Sequence, residues 1–200
     1  MSAFLGPIHY LMFSKIKYQD DFCLFLIAKA EEQAPGFEEQ IREHVYTVPK
    51  GDLAEIVDPN HIHGSLQEMV QQVEFKLAYI AAQTQAKGIF SLPEIIGLAE
   101  EYGRIRAAKE KLSAREAFRF LFSQLLNGMP CDRVQEVVEE TDRSVTWRDA
   151  ADIHGDFWRE QGLDGRQFYQ IRSGLITGML ADSGVAFSEE KPSYYSLRAE

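Results

Sequence analysis

The stretch DPNHIHGSLQEMVQQVEFKLAYIAAQTQAKG, residues 58–88, carries the strongest fold signal in this sequence. Apolar residues recur in it at steps of three and four, which places them on one face of a long α-helix. They are Ile62, Leu66, Met69, Val73, Leu77 and Ile80. Asp58 and Pro59 are typical of the start of such a helix, and Gly88 is typical of its end. The stretch therefore predicts a long amphipathic helix.

Helix signals of the same kind lie on both sides of this stretch. Pro7 suits a first helical turn, and Ser91 with Glu94 and Ser113 with Glu116 form capping boxes. Strict alternation of polar and apolar residues, the mark of a half-buried strand, is nearly absent. We therefore predict an all-α protein, a bundle of seven or eight helices.

The C-terminal third is interpreted in the same way. We expect a short helix over residues 132–140, another from a cap at Thr146 to Gly162, and a last one that ends at Gly184. A helical bundle over residues 1–128 would carry a smaller helical lobe over 129–184, packed on it as one structural unit. Residues 185–200 have no helical periodicity and are expected to form a C-terminal tail.

Composition and charge narrow the classes of function. The chain has 200 residues, with 21 Lys and Arg against 31 Asp and Glu, so its formal net charge is −10. A chain this acidic is a poor candidate for binding nucleic acid or an anionic membrane surface. We therefore expect a small molecule or a protein as the partner.

The N-terminus and the cysteines indicate the compartment. Residues 1–7 have no basic segment of a secretory signal, and the apolar run over 22–28 is too short to cross a membrane. Cys23 and Cys131 form no paired framework, which is typical of free thiols in a reducing compartment. A soluble cytoplasmic protein is the expectation.

Three histidines are the candidate site residues. His9, His63 and His154 each follow an isoleucine and lie on or beside an apolar helix face. Neutral imidazoles that converge between helices form a three-nitrogen metal site with an open position. We therefore predict that these histidines hold a divalent transition metal or a haem. Cys131, just before a predicted short helix, is a candidate fourth ligand or reactive thiol.

Apolar residues on the faces of these histidines are expected to line the pocket. They are Trp147, Trp158, Phe13 and Leu66. If the site is catalytic, the metal would activate a bound water or thiol. The alternative is a non-catalytic interaction or regulatory module in which the histidines are satisfied core residues.

A basic stretch is the second candidate surface. It contains Arg104, Arg106, Lys109, Lys111, Arg115 and Arg119. Such a local excess of cations on an acidic chain would attract an anionic ligand or an acidic partner. The alternative is an ordinary solvated face of two helices.

Two further features suggest a homo-oligomer. Gly174 and Gly178 lie on one face of the last predicted helix, where small residues permit close helix contact within the chain or between two copies. Tyr194 and Tyr195 give the predicted tail an aromatic anchor that would dock on its own domain or on a neighbouring subunit.

Overall fold

The computed structural model describes residues 4–200, and it corrects the predicted fold class. This part of the chain contains eight α-helices and a four-stranded antiparallel sheet, so the protein is mixed α/β and not all-α. The helices are α1 (Pro7–Gln33), α2 (Phe37–Arg42), α3 (Leu53–Ile56), α4 (Ile62–Ala86), α5 (Leu92–Ile105), α6 (Ala114–Gln124), α7 (Gly155–Glu160) and α8 (Arg166–Met179). The strands are β1 (Gln135–Glu140), β2 (Ser144–Asp149), β3 (Val185–Lys191) and β4 (Tyr194–Ala199).

The helix termini in the first two thirds follow the sequence signals. Both predicted capping boxes are confirmed: Ser91 and Glu94 begin α5, and Ser113 and Glu116 begin α6. The long helix α4 begins at Ile62, four residues after Asp58, because the Asp58 carboxylate instead accepts from the N–H of Asn60 in the preceding turn. No helix within residues 4–200 has the length and apolar content needed to span a membrane.

The C-terminal third is where the sequence predictions were wrong. Residues 135–140 of the predicted helix over 132–140 form strand β1, and Thr146 lies in strand β2 and caps no helix. The expected tail forms strands β3 and β4. The order of the strands is β1-β2-β4-β3, with every neighbouring pair antiparallel.

A short alternation in β2 and β4 was the missed signal. Val145 and Trp147 point into the core while Thr146 and Arg148 point away, and the buried Tyr195 and Leu197 of β4 pair with Trp147 and Val145. Each alternating run is about five residues long, near the lower limit for recognising a strand. The outer strand β1 has no such pattern, because nearly all its side chains are exposed.

Two apolar clusters form the core. The larger one joins the C-terminal half of α1 and the later helices to one face of the sheet, with Trp147 and Trp158 fully buried. The smaller one joins the N-terminal half of α1 to α3 and the start of α4, and includes Phe13 and Leu66. Since the larger cluster includes residues from both sides of position 128, the two predicted parts share a core.

Helices α5 and α8 cross at very short distance. A methyl group on Gly103, Gly174 or Gly178 would overlap a backbone oxygen of the facing helix. The faces of Gly174 and Gly178 predicted for close contact are therefore occupied within the chain, by α5. Close backbone approach of this kind is the reason that glycine is retained despite its cost to helix stability.

Candidate ligand-binding groove

The structure brings two of the three candidate histidines together. His9, on the first turn of α1, and His63, on the first turn of α4, have their Nε2 atoms 3.3 Å apart. The N–H of Gly6 donates to Nδ1 of His9 at 2.8 Å. Neutral His9 therefore carries its proton on Nε2 and donates it to His63. This chain of bonds ties the start of α1 to the start of α4.

His154 lies elsewhere, in the interior. Its side chain is 1% exposed, and its ring stacks on Phe168 with centroids 3.7 Å apart. Nδ1 lies 2.9 Å from the Glu74 carboxylate, and Nε2 lies 2.8 Å from Oδ1 of Asn127. Arg172 also donates to this oxygen, at 3.1 Å, so the Asn127 oxygen faces both residues and His154 Nε2 is a donor. Both ring nitrogens are thus bonded within the protein.

The other predicted site residues do not join the histidines into one pocket. Cys131 is exposed, and its Sγ lies 3.8 Å from the Asp132 carboxylate. Trp147 packs against aromatic rings of α6 and β4, and Trp158 packs against Phe168. Residues 4–200 contain no group of three or more His, Cys, Asp or Glu side chains placed to hold a metal ion. The predicted three-histidine metal site therefore has no assembled ligand group in this part of the chain.

Three of the six cations in the basic stretch form ion pairs. Arg104 pairs with Glu100, Arg106 lies 3.6 Å from Asp21, and Arg115 lies 2.9 Å from Glu140. The remaining cations of the stretch are exposed to solvent. They are Lys109, Lys111 and Arg119. A role of this stretch in binding an anion or an acidic partner stays a prediction.

The tyrosines of the predicted tail belong to the sheet. Tyr195 is buried in β4 and stacks on Trp147 with centroids 5.4 Å apart. Tyr194 accepts a bond from Arg148 and lies under the Lys191 ammonium. Both rings therefore dock on their own domain, whereas a role in subunit contact stays a prediction.

A groove between α1 and the start of β1 is the largest open cavity described, with a volume of about 560 Å³. One wall is the face of α1 that carries Ile8, Leu11, Met12 and Lys15. These positions are three and four apart and so lie on one side of the helix. The opposite wall is formed by residues 127–129 and 133–136. A volume of this size is ordinary for a small-molecule site, which typically encloses about 300–1,000 Å³.

Apolar and polar side chains both line the groove, and two of the polar ones are cations without an anionic partner. Among residues 4–200, neither Lys15 nor Arg133 has a carboxylate within ion-pair distance. Lys15 is half-buried, and burial together with the positive charge of Arg172 lowers its pKa. Arg133 has a left-handed backbone with φ of 47°, a conformation uncommon outside glycine.

The acidic residues in and beside the groove, Glu136 and Asp132, already have partners. Glu136 forms an ion pair with Arg148, and Asp132 accepts the N–H of Met129 at 2.8 Å. Neither carboxylate pairs with Lys15 or Arg133. The groove therefore presents uncompensated positive charge on a protein whose net charge is −10.

A buried cluster of polar side chains lies behind the groove. It consists of Gln19, Glu74, Asn127, Asp149, His154 and Arg172, and Asn127 is also a groove residue. Gln19 donates to Glu74 at 3.0 Å, and Arg172 lies 3.6 Å from Asp149. Burial raises the pKa of Asp149, against the opposing effect of Arg172, His154 and Asn127. The cluster therefore connects Asn127, in the wall of the groove opposite α1, to α4 and α8.

Sequence reasoning did not single out the groove residues. Lys15 continues the stripe of Ile8, Leu11 and Met12, and a cation within an apolar stripe was the available signal. Arg133 has no sequence signal, since its position depends on the β1 strand that was missed.

In comparisons with known proteins, no family model, no curated protein and no solved structure matches this chain.

Proposed function

We propose that this protein is a binding module for a small organic anion with an apolar body, and that the groove between α1 and β1 is the site. The observation that carries the proposal is the pair of cations, Lys15 and Arg133, in a groove otherwise lined mainly by apolar side chains. The half-buried ammonium of Lys15 without an anion is unfavourable, and the positive charge of Arg172 makes it more so. A bound carboxylate relieves both effects.

The walls of the groove indicate the rest of the ligand. Ile8, Leu11 and Met12 on α1 face Met129 and Val134 across the groove, so an aliphatic or aromatic body would be buried between them. The amide side chains of Asn127 and Gln135 also line the groove. A few polar groups in an apolar cavity are the usual composition of a small-molecule site.

Calorimetric titration with octanoate tests the proposal. We expect binding to the wild type and a loss of affinity of at least about tenfold in Lys15→Met and in Arg133→Met, because a bond to a charged group contributes about 1.5–3 kcal/mol. Matched controls are Lys17→Met, an exposed lysine of the same helix, and Arg119→Met, an exposed arginine of the basic stretch. Both should bind octanoate within about twofold of wild type. Equal losses in the controls, or no binding to the wild type, would contradict the proposal.

A further inference from the structure

The wall of the groove opposite α1 includes the first residues of strand β1, which forms an open edge of the sheet. Strand β1 is the outermost strand in the order β1-β2-β4-β3, and its residues Gln135 and Glu136 line the groove. An unpaired strand edge presents a row of backbone N–H and C=O groups that an extended chain can pair with. The groove therefore combines an open backbone edge with the cations Lys15 and Arg133.

The register of the sheet identifies the outward backbone groups. The carbonyl of Val134 accepts from the N–H of Ala150 at 2.7 Å, and Glu136 is paired with Arg148. Since bonding direction alternates along an antiparallel strand, the backbone groups of Gln135 and Val137 point away from β2. These two residues supply the outward donors and acceptors.

The usable edge is short. The β1–β2 register shifts between Val137 and Glu139, so a bulge at Val138 interrupts the regular edge. Three residues, 135–137, remain, and they extend about 10 Å at the usual strand rise. The stripe from Ile8 to Lys15 covers seven helical steps, which is also about 10 Å. The regular strand edge and the α1 stripe therefore each match the length of about three extended residues.

We infer that the anion bound in the groove is the C-terminal carboxylate of an extended peptide, which pairs with the β1 edge and places its last apolar side chains against α1. The inference rests on the proposed function. Edge pairing and capture of a terminal carboxylate are general modes of peptide recognition. Charge complementarity selects this occupant, because a peptide end supplies one carboxylate where Lys15 and Arg133 have none.

A second copy of this chain fits the edge less well. Pairing β1 with β1 of another copy would bring the acidic side chains of two strands side by side, where like charges are unfavourable. These are Glu136, Glu139 and Glu140. A peptide end with apolar side chains avoids that repulsion.

Fluorescence anisotropy with a fluorescein-labelled hexapeptide ending in Thr-Val-Leu and a free carboxylate tests the inference. We expect binding at least tenfold tighter than that of acetyl-leucine, measured by competition. The C-terminal amide of the hexapeptide should bind at least tenfold more weakly than the acid. N-methylation of one of the last two backbone amides, and not of the other, should also weaken binding tenfold, because only alternate amides face the partner strand.

Two substitutions of Val137 distinguish the contribution of its backbone N–H to peptide binding from that of its side chain. Val137→Pro removes an outward N–H that β2 does not use and should weaken the hexapeptide at least tenfold, whereas Val137→Ala keeps that N–H and should stay within threefold. Circular dichroism and the melting temperature check that both variants fold. Octanoate affinity should be unchanged in both, since Val137 does not line the groove and octanoate has no backbone amides to pair with the strand.

The outcomes distinguish this inference from the proposed function. If octanoate binds in a Lys15-dependent way but the hexapeptide is no tighter than acetyl-leucine, or ignores both N-methylations and Val137→Pro, the inference fails and the proposed function stands. If neither octanoate nor the hexapeptide binds, both fail. A dimer in sedimentation that the hexapeptide does not dissociate would assign the edge to a second copy and overturn the inference.

Discussion

The buried cluster and the groove share Asn127 but differ in whether their charged side chains have partners within the protein. In the cluster, Glu74 faces His154 and Gln19, and Arg172 faces Asn127 and Asp149. In the groove, neither Lys15 nor Arg133 has a carboxylate of residues 4–200 within ion-pair distance. A charge that is paired inside the protein contributes to the stability and specificity of the fold. An unpaired charge at the wall of a cavity is available to a ligand. The comparison therefore assigns the cluster to structure and the groove to recognition.

Breaking the cluster should have the largest effect. His154→Ala removes one of the two partners of the buried Glu74 carboxylate, leaving only Gln19, and also removes the ring that stacks on Phe168. Removal of one partner of a buried pair costs about 3–5 kcal/mol, so we expect a loss of this size in the free energy of unfolding measured with urea. His44→Ala, at an exposed position, is the control and should change it by less than about 0.5 kcal/mol. Equal effects of the two variants on the free energy of unfolding would contradict the structural role assigned to His154.

Lys15→Met should separate binding from stability. Because burial and Arg172 lower the pKa of Lys15 in the folded protein, its protonated form destabilises the fold at neutral pH. Methionine of similar length removes this penalty, so the melting temperature of the free protein should rise by about 2 °C while octanoate binding is lost. Thermal unfolding with and without octanoate measures both. A fall in the melting temperature of the free protein would contradict the destabilising role assigned to Lys15, and an unchanged stabilisation by octanoate would contradict its role in binding.

The basic stretch should respond weakly in both assays. Arg115 is partly exposed and pairs with Glu140, so Arg115→Ala should cost at most about 1 kcal/mol of stability. Octanoate affinity should stay within about twofold of wild type, because the stretch supplies no groove residue. A tenfold loss of affinity in Arg115→Ala would move the anion site from the groove to this surface.

The smallest effect concerns the turn that positions His154. Burial alone would raise the pKa of Asp152, but hydrogen bonds from the N–H groups of Gly155 and His154, from the Tyr169 hydroxyl and from Arg159 lower it overall. A carboxyl group with a lowered pKa stabilises the fold above its ordinary pKa of 3.8, and the effect is lost as the pH falls through the lowered value.

Asp152→Asn should therefore destabilise the protein at pH 7 by at most about 1 kcal/mol, because the Asp152 side chain is 39% exposed and solvent screens its charge. The difference from wild type should shrink towards pH 3. Urea unfolding at the two pH values measures it, and a difference that grew on acidification would contradict the assigned direction of the shift.

The helices were predictable because their information is local. The capping residues Ser91 and Ser113 and the apolar stripe of α4 lie within a few turns of the backbone they specify. The sheet was not predicted, because β1 is an exposed outer strand without alternation, and β2 and β4 pair across 48 residues, as with Trp147 and Tyr195. Such pairing depends on tertiary contacts that periodicity does not encode.

The candidate site was only partly predictable for the same reason. The sequence placed His9, His63 and His154 beside apolar faces, and the fold brought His9 to His63 but His154 to Glu74. The metal or haem role of these histidines stays a prediction, and elemental analysis and an absorption spectrum of untagged protein would test it. Lys15 and Arg133 line one groove only because the segment leading into β1 lies opposite α1, and the sequence did not reveal that strand.

A thermodynamic cycle between ligand and protein tests the central assignment most directly. Calorimetry would compare octanoate with octanamide, which has the same chain and no charge, in wild type and in Lys15→Met. We predict that the wild type prefers the acid and that this preference falls at least about tenfold in Lys15→Met, which keeps only Arg133, and such a fall corresponds to a coupling of about 1.4 kcal/mol or more. An equal preference for the acid in both proteins would contradict the account.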